Sequence, residues 1–198
     1  ISILKEIDCL IKTDIKEVVL TGIDISDYQI DEKPALLELL EQVNSFGVRF
    51  RIGSFEPNIL TEEFVKKLKT FQNFCPHFHI SMQSGSTRVL DRMNRKYTAE
   101  FFIETVKLIR KHFKNPAITT DLIVGFPGEI DEEFLETLNT IKKVKFAEMH
   151  IFPYSRRTGT AADKMLNIKN SGFCLVDPKT IKQRVKTAIA LANKYREK

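Results

Sequence analysis

The sequence predicts an α/β fold in which parallel strands alternate with helices, and three observations carry that prediction. Five short β-rich runs are separated from one another by one or two stretches of helical periodicity. Most of these runs end in a small polar or glycine-containing turn before the next helix begins. With 198 residues, 42% of them hydrophobic, the chain can bury the core of one domain or part of a larger one. Such spacing implies a right-handed parallel sheet, either open or curled into part of a barrel, with ligands expected at the carboxyl ends of the strands.

In chain order, Ile3, Leu4, Ile7, Leu10 and Ile11 recur at helical spacing and predict an amphipathic helix over residues 2–13. The strand over 16–22 follows and ends in Thr21 and Gly22. Pro34 is expected in the first turn of the next helix, which carries Leu36, Leu37, Leu39, Leu40 and Val43 and stops near Gly47. A second strand spans 48–54. Beyond it, Pro57 biases Glu56 towards an extended conformation and leaves a carboxylate at a strand end. Thr61 is the expected cap of the helix that opens with Glu62, Glu63 and Phe64.

The stretch from His77 to Arg95 organises the middle of the chain. His77, His79, Ser81 and Gln83 alternate with Phe78, Ile80 and Met82, so one side of a strand is polar and the other apolar. Ser84, Gly85 and Ser86 break the run, and Ser86 can cap a short helix on which Val89, Leu90 and Met93 share a face while Arg88, Arg92 and Arg95 stay polar. A helix over 98–113 and a strand over 117–124 follow, the strand closing at Gly125-Phe126-Pro127-Gly128-Glu129. Asp131, Glu132 and Glu133 suit the positive end of the next helix dipole. The last strand spans 146–152, an irregular basic loop spans 153–160, and a terminal helix with a charged outer face spans about 178–198. Residues 161–177 give no assignable pattern. If the His77 face points inward, then Thr119, Asp121, Arg49 and Arg51 give the interior a polarity that suits an incomplete barrel around a ligand; a phase shift of one residue would reverse this.

The net charge of +5 and pI near 9.0 favour anionic partners, as solvated Lys/Arg-rich helices also would. No apolar run approaches the roughly 18 residues of a membrane span, and no signal-peptide pattern opens the chain, so a soluble cytoplasmic protein without membrane partners is expected. Cys9, Cys75 and Cys174 are too far apart for a disulfide framework or a CxxC metal site and read as buried or bystander thiols. His77 and His79 form only a weak pair, and with His112 and His150 they read as structural. The chain opens at Ile1 almost directly in a helix and reads as a piece of a longer polypeptide.

Six runs, taken together and in order, resemble the central domain of the radical S-adenosylmethionine tRNA methylthiotransferases. They are Glu-Val-Val-Leu-Thr-Gly at 17–22, Ser-Phe-Glu-Pro at 54–57, His-Phe-His-Ile-Ser-Met-Gln-Ser-Gly at 77–85, Arg-Met-Asn-Arg-Lys-Tyr-Thr at 92–98, Thr-Thr-Asp-Leu-Ile-Val-Gly-Phe-Pro-Gly-Glu at 119–129 and Phe-Pro-Tyr-Ser-Arg-Arg-Thr-Gly-Thr at 152–160. The branch most similar acts on N6-threonylcarbamoyladenosine beside the anticodon; the isopentenyladenosine branch is next. The resemblance implies a partial parallel (β/α) barrel of radical SAM type, here lacking the first strand and cluster loop, with residues 1–198 as one core fragment carrying barrel strands two to six. It also implies S-adenosyl-L-methionine and 4Fe-4S clusters as cofactors, with tRNA, a sulfur donor and a reductant as partners. The CxxxCxxC motif of the family does not occur in the 198 residues, so the ligating cysteines lie outside this chain and the fragment alone is expected to be inactive.

Carried over residue by residue, the resemblance implies that Thr21 and Gly22 adjoin the methionyl amine, although Gly22 reads equally as a plain turn glycine. Glu56, Gln83 and Ser84 offer donors and acceptors to the amine or ribose, and Arg95 matches an arginine suited to the carboxylate. Asp121, Ile123 and Gly125 correspond to the strand that borders the adenine, with Phe152 and Tyr154 flanking; Ile123 and Phe152 read equally as core residues. Arg156 and Arg157, with Tyr154, Ser155 and Thr158 around them, can bind phosphate and stack a base, or form a solvated loop. Two rival classes stand beside this one. A non-catalytic remnant would keep the fold and RNA affinity, and a Schiff-base barrel lyase would need a lysine at a strand end, where none occurs.

Overall fold

Only one residue of the first helix is buried, and it explains where that helix docks: Ile7 anchors α1 (Ile3–Ile11). The computed structural model describes residues 3–167 and 173–196, and the chain divides into two compact units, Ile1–Ser81 with Thr105–Ile118 and Met82–Glu104 with Thr119–Lys198.

In the first unit, β1 (Glu17–Leu20) is followed by a short hairpin of β2 (Gln29–Ile30) and β3 (Lys33–Pro34), then α2 (Leu36–Ser45), β4 (Arg49–Ile52), α3 (Glu62–Thr70) and β5 (His77–His79). β1 and β4 pair in parallel, Val18 opposite Phe50 and Leu20 opposite Ile52, and these four side chains are buried. On the opposite face Glu17 accepts from Arg49 Nε at 2.7 Å and from Arg51 Nε at 2.8 Å. The polarity that Arg49 and Arg51 bring to this face is therefore matched by a carboxylate two-pronged between them. Desolvation pushes Glu17 up, and the two guanidinium groups outweigh it, leaving the carboxyl below its ordinary value.

The core of this unit is aromatic. Phe78 meets Phe113 edge-on at 5.1 Å, Phe74 at 5.5 Å and Phe55 in a stack at 5.7 Å. Such pairs add about 0.5–1.5 kcal/mol each beyond the area they bury. The alternation from His77 to Met82 holds in its expected phase: Phe78, Ile80 and Met82 are buried while His77, His79 and Ser81 are half-buried. Thr61 caps α3 as expected, accepting from the Phe64 N–H at 3.2 Å, and Gly47 ends α2 with φ 73°.

Pro34 corrects an expectation. It lies in β3, opposite Gln29, and Ala35 takes the cap position before α2. The hairpin turns on Asp31 (φ 50°) and Glu32 (φ 62°), both left-handed. Tight turns of this kind ordinarily announce themselves with Asn-Gly or Asp-Gly, and Asp-Glu carries no such signal.

The second unit contains α4 (Thr87–Arg92). Two elements, α5 (Ala99–His112) and β6 (Ala117–Val124), belong partly to each unit. α6 (Asp131–Val144), β7 (Glu148–Pro153), α7 (Ala161–Asn167) and α8 (Pro178–Arg196) complete it, α7 filling part of the stretch that gave no pattern. β6 pairs with β7 in parallel from Thr119↔Glu148 to Val124↔Pro153. No described helix is long and apolar enough to cross a membrane.

The turn at 84–86 is pressed onto α6. Gly85 N–H donates to Thr137 Oγ1 at 3.2 Å, and Thr140 Oγ1 donates back to the Gly85 carbonyl at 3.0 Å. A methyl group at Gly85 would sit 2.7 Å from Thr137 Cα and 2.8 Å from Thr140 Cβ. Ser86 stands at the cap position of α4, yet its hydroxyl bonds the Glu136 carboxylate instead of its own helix. Gly85→Ala is accordingly expected to destabilise the protein by about 1–3 kcal/mol through overpacking, read as a lowered urea midpoint with an unchanged slope.

Candidate functional site

Three of the expected site residues, Thr21, Gly22 and Glu56, lie in the first unit, and strand pairing draws their backbones together. The Gly53 N–H donates to the Leu20 carbonyl at 2.8 Å, and a Cβ on Gly53 would stand 3.2 Å from Thr21 Oγ1. The turn after Gly22 reaches Glu56, whose N–H donates to Ser26 Oγ at 2.9 Å. Thr21 and Gly22 face a cavity of about 330 Å³ whose wall also carries Glu6, Asp24 and Tyr28. Two carboxylates beside a strand-end glycine suit an ammonium group.

The remaining residues belong to the second unit. Gln83 exchanges two backbone bonds with β6, its N–H donating to the Asp121 carbonyl and its carbonyl accepting from the Ile123 N–H, each at 2.9 Å. It does so with φ 59°, a conformation non-glycine residues seldom adopt and one that concentrates at functional sites. Asp121 and Ile123 are half-buried between the buried Thr120, Leu122 and Val124. Phe152 pairs in register with Ile123 and is 50% exposed, so it is a flank of the strand and not a core residue. Gly125 follows with φ 80°. Gln83, Asp121, Ile123, Gly125 and Phe152 are thus one continuous strand-end patch.

Ser84 and Arg95 stand differently. Ser84 is fully buried, its Oγ 3.4 Å from Thr137 Oγ1 and accepting from the Ser86 N–H at 3.2 Å. Its hydroxyl faces α6. Arg95 follows the end of α4, past Asn94 at φ 57°, and its N–H closes onto the Leu90 carbonyl at 2.9 Å.

Two charge pairs stand in this unit, one buried and one part-buried, and sequence reasoning missed both. Arg92 binds Glu133 with both terminal nitrogens, at 2.9 and 2.6 Å, and the same carboxylate accepts from the Ile130 N–H at 3.1 Å. Burial pushes the Glu133 carboxyl up, but the Arg92 and Ile130 bonds prevail and hold it below its ordinary value. Arg184 reaches from α8 to Glu129 Oε1 at 2.7 Å and Asp131 Oδ1 at 2.6 Å. For Glu129 the balance is reversed: burial raises the carboxyl more than Arg184 lowers it. Acidic residues opening α6 read as dipole complements and Arg184 as part of a charged outer face; partners 41 and 53–55 residues apart leave no local spacing to detect.

The basic loop is organised by the buried Asp163, whose carboxylate accepts from Arg156 Nε at 2.6 Å and from the Gly159 N–H at 2.9 Å. The Gly159 bond and then the Arg156 pair hold that carboxyl below its ordinary value. Arg156 is therefore engaged within the protein, while Arg157 is exposed. Beside the loop, a mainly apolar groove of about 590 Å³ runs between Tyr154 and α8, with Arg156, Lys182 and Lys186 on its walls.

Among the described residues no group of three or more His, Cys, Asp or Glu could hold a metal ion, and Cys9 and Cys174 are exposed singly. The residues present do not fit an iron–sulfur cluster. The first unit offers a carboxylate-walled cavity beside Gly22 that suits an ammonium group, and in the second unit Gln83 lies against the half-buried Asp121 and Ile123 of β6.

Residues 2–141 match the Radical SAM superfamily. The chain is 42% identical over 195 residues to the threonylcarbamoyladenosine tRNA methylthiotransferase MtaB of Bacillus subtilis, covering 96% of this chain and 42% of that protein. It is 40% identical over 167 residues to the tRNA-2-methylthio-N(6)-dimethylallyladenosine synthase of Acetivibrio thermocellus, covering 82% of this chain and 35% of that one. The chain thus spans about two fifths of the length of the curated relatives it matches. Among solved structures, the radical SAM coproporphyrinogen III oxidase HemN of Escherichia coli superposes with a TM-score of 0.69 at 17% identity, over 97% of this chain and 44% of that one. That likeness shows the fold.

Because the folded pKa of Glu133 lies below its unfolded value of about 4.3, its pairing stabilises fully above that pH and is lost as pH falls through the depressed folded value. Glu129, held high, acts in the opposite sense. Comparison of Glu133→Gln with the parent isolates the first effect: the variant is expected to lose about 3 kcal/mol at pH 7 and to show a shallower fall of denaturation midpoint below about pH 4.5.

Proposed function

The chain belongs to the radical SAM superfamily, and from that premise we propose that it forms the central catalytic part of a tRNA methylthiotransferase acting on C2 of N6-threonylcarbamoyladenosine beside the anticodon. The observation that carries this reading is the likeness to the Bacillus subtilis enzyme, which runs through nearly the whole chain. Activity then belongs to a longer protein that supplies the cluster-binding cysteines, and these 198 residues alone are inactive. A tRNA substrate is consistent with a cytoplasmic location and with the net charge of +5.

In this reading S-adenosylmethionine, when bound, supplies the hydrogen-abstracting chemistry that opens C2 of the adenine to a methylthio group, given a reductant and a sulfur donor. This chain's residues bind and orient. Thr21 and Gly22 hold the methionyl amine, with Glu56 at the adjoining strand end. Gln83 presents its side-chain amide to the ribose, because its backbone is fully committed to β6. Arg95 pairs with the methionyl carboxylate. The backbone at Asp121, Ile123 and Gly125 borders the adenine, and Phe152 shields it from water. Ser84, turned into α6, acts by holding the turn that carries Gln83. Arg157 meets tRNA phosphate, and Arg156 shapes the loop that presents it.

A second reading, methylthiolation of an isopentenyl-type adenosine, is favoured by the Acetivibrio thermocellus relative at comparable identity.

The full-length protein, reconstituted anaerobically with iron and sulfide and given S-adenosylmethionine and reductant, is expected to convert threonylcarbamoyladenosine in tRNA to its 2-methylthio derivative, read by mass spectrometry of nucleosides. A mass gain only on isopentenyladenosine would favour the second reading, and no gain on either would remove both. Arg157→Ala is expected to weaken tRNA binding uniformly across sequences and to lower the salt slope by about one, measured by filter binding at several salt concentrations.

A further inference from the structure

Gly125 has no room for a side chain because α8 lies against it. A Cβ there would fall 2.5 Å from Ile181 Cγ1 and 2.7 Å from Ile181 Cδ1, so Ile181 rests directly on the turn's backbone. Three residues on along α8, Arg184 projects from the same face into the interior. Its Nη1 donates to the Glu129 carbonyl at 3.1 Å and to Glu129 Oε1 at 2.7 Å, and its Nη2 donates to Asp131 Oδ1 at 2.6 Å. Glu129 Oε1 in turn accepts from the Gly125 N–H at 3.2 Å. An unbroken chain of hydrogen bonds therefore leads from α8 through a buried carboxyl to the amide that opens the 125–131 turn. The Phe134 ring lies 5.3 Å from the Arg184 guanidinium and closes the remaining side.

We propose that Ile181 and Arg184 are positioning residues for the adenosyl side of the ligand site: α8 fixes the path of the backbone at Gly125 by contact from one side and by the Glu129 relay from the other. The inference rests on the reading that residues 121–125 border an adenine. A glycine has many accessible conformations, and the last backbone bond beside β7, from the Tyr154 N–H to the Val124 carbonyl at 2.8 Å, fixes only the near side of Gly125. Ile181 and Glu129 add the contacts made by Gly125 itself, the first against its Cα and the second at its N–H. Arg184 makes the Glu129 carboxyl a fixed acceptor by holding both its side chain and its own carbonyl.

A merely structural role would change thermal stability and leave ligand preference alone. The discriminating experiment measures dissociation constants of S-adenosylhomocysteine and of methionine by equilibrium dialysis on the full-length, cluster-reconstituted protein, well below each variant's melting temperature. Ile181→Ala and Arg184→Met are expected to weaken S-adenosylhomocysteine about tenfold or more while methionine changes less than about twofold, with Arg184→Lys intermediate. Unchanged S-adenosylhomocysteine affinity in a folded variant, or an equal loss for both ligands, would overturn the proposal. If Arg184→Met does not fold, Ile181→Ala, which keeps the charge network, decides alone. Absence of adenosyl binding by the parent protein would remove the functional reading and this inference together; parent binding with unaffected variants would remove only the inference.

Discussion

The exchange of two hydrogen bonds between Gln83 and β6 sets the geometry of the second unit. Left-handed backbone costs a non-glycine residue about 1–3 kcal/mol, and two backbone bonds of about 0.5–1.5 kcal/mol each offset that cost. The strand leading into Gln83 cannot continue its ladder, because the left-handed step redirects the chain. That redirection sends Ser84, Gly85 and Ser86 into α6, where only a glycine leaves space for Thr137 and Thr140. The half-buried position of Gln83 and the close packing of the next three residues are consequences of a single backbone choice.

Charge burial follows the same economy of space. Arg92, Glu133, Arg184 and Glu129 are ordinary surface residue types, yet each is pulled inward where a helix end or a turn leaves backbone groups to be satisfied. Glu133 closes the first turn of α6 and Glu129 the Gly125 turn, so each carboxylate is held by backbone on one side and by guanidinium on the other. Removal of either partner would strand a charge in a dry interior, which is why such pairs resist substitution even though their net stabilisation is small.

What could be foreseen from the residues was what depends on neighbours in the chain. The alternation through Phe78, Ile80 and Met82 gave the correct buried face, Thr61 and Gly47 marked helix ends, and the acidic opening of α6 located its start. The strand-end patch of Asp121, Ile123 and Gly125 with Phe152 was legible because in-register parallel strands bring equivalent positions together. The hairpin around Asp31 was not, since left-handed turns without glycine look like helix or loop. Nor was the inward turn of Ser84, Ser86 and Arg184, since a hydroxyl or guanidinium has no local preference between water and a partner some fifty residues away.

Asp163 gives the basic loop a property its composition does not suggest. By accepting from Arg156 and Gly159 while its own N–H bonds Thr160 Oγ1 at 3.2 Å, it fixes the segment from 156 to 163 before any partner arrives. Ordering a residue costs about 1–2 kcal/mol, and here that entropy is surrendered during folding. The exposed Arg157 is thus presented from a backbone that needs little further ordering to make a contact.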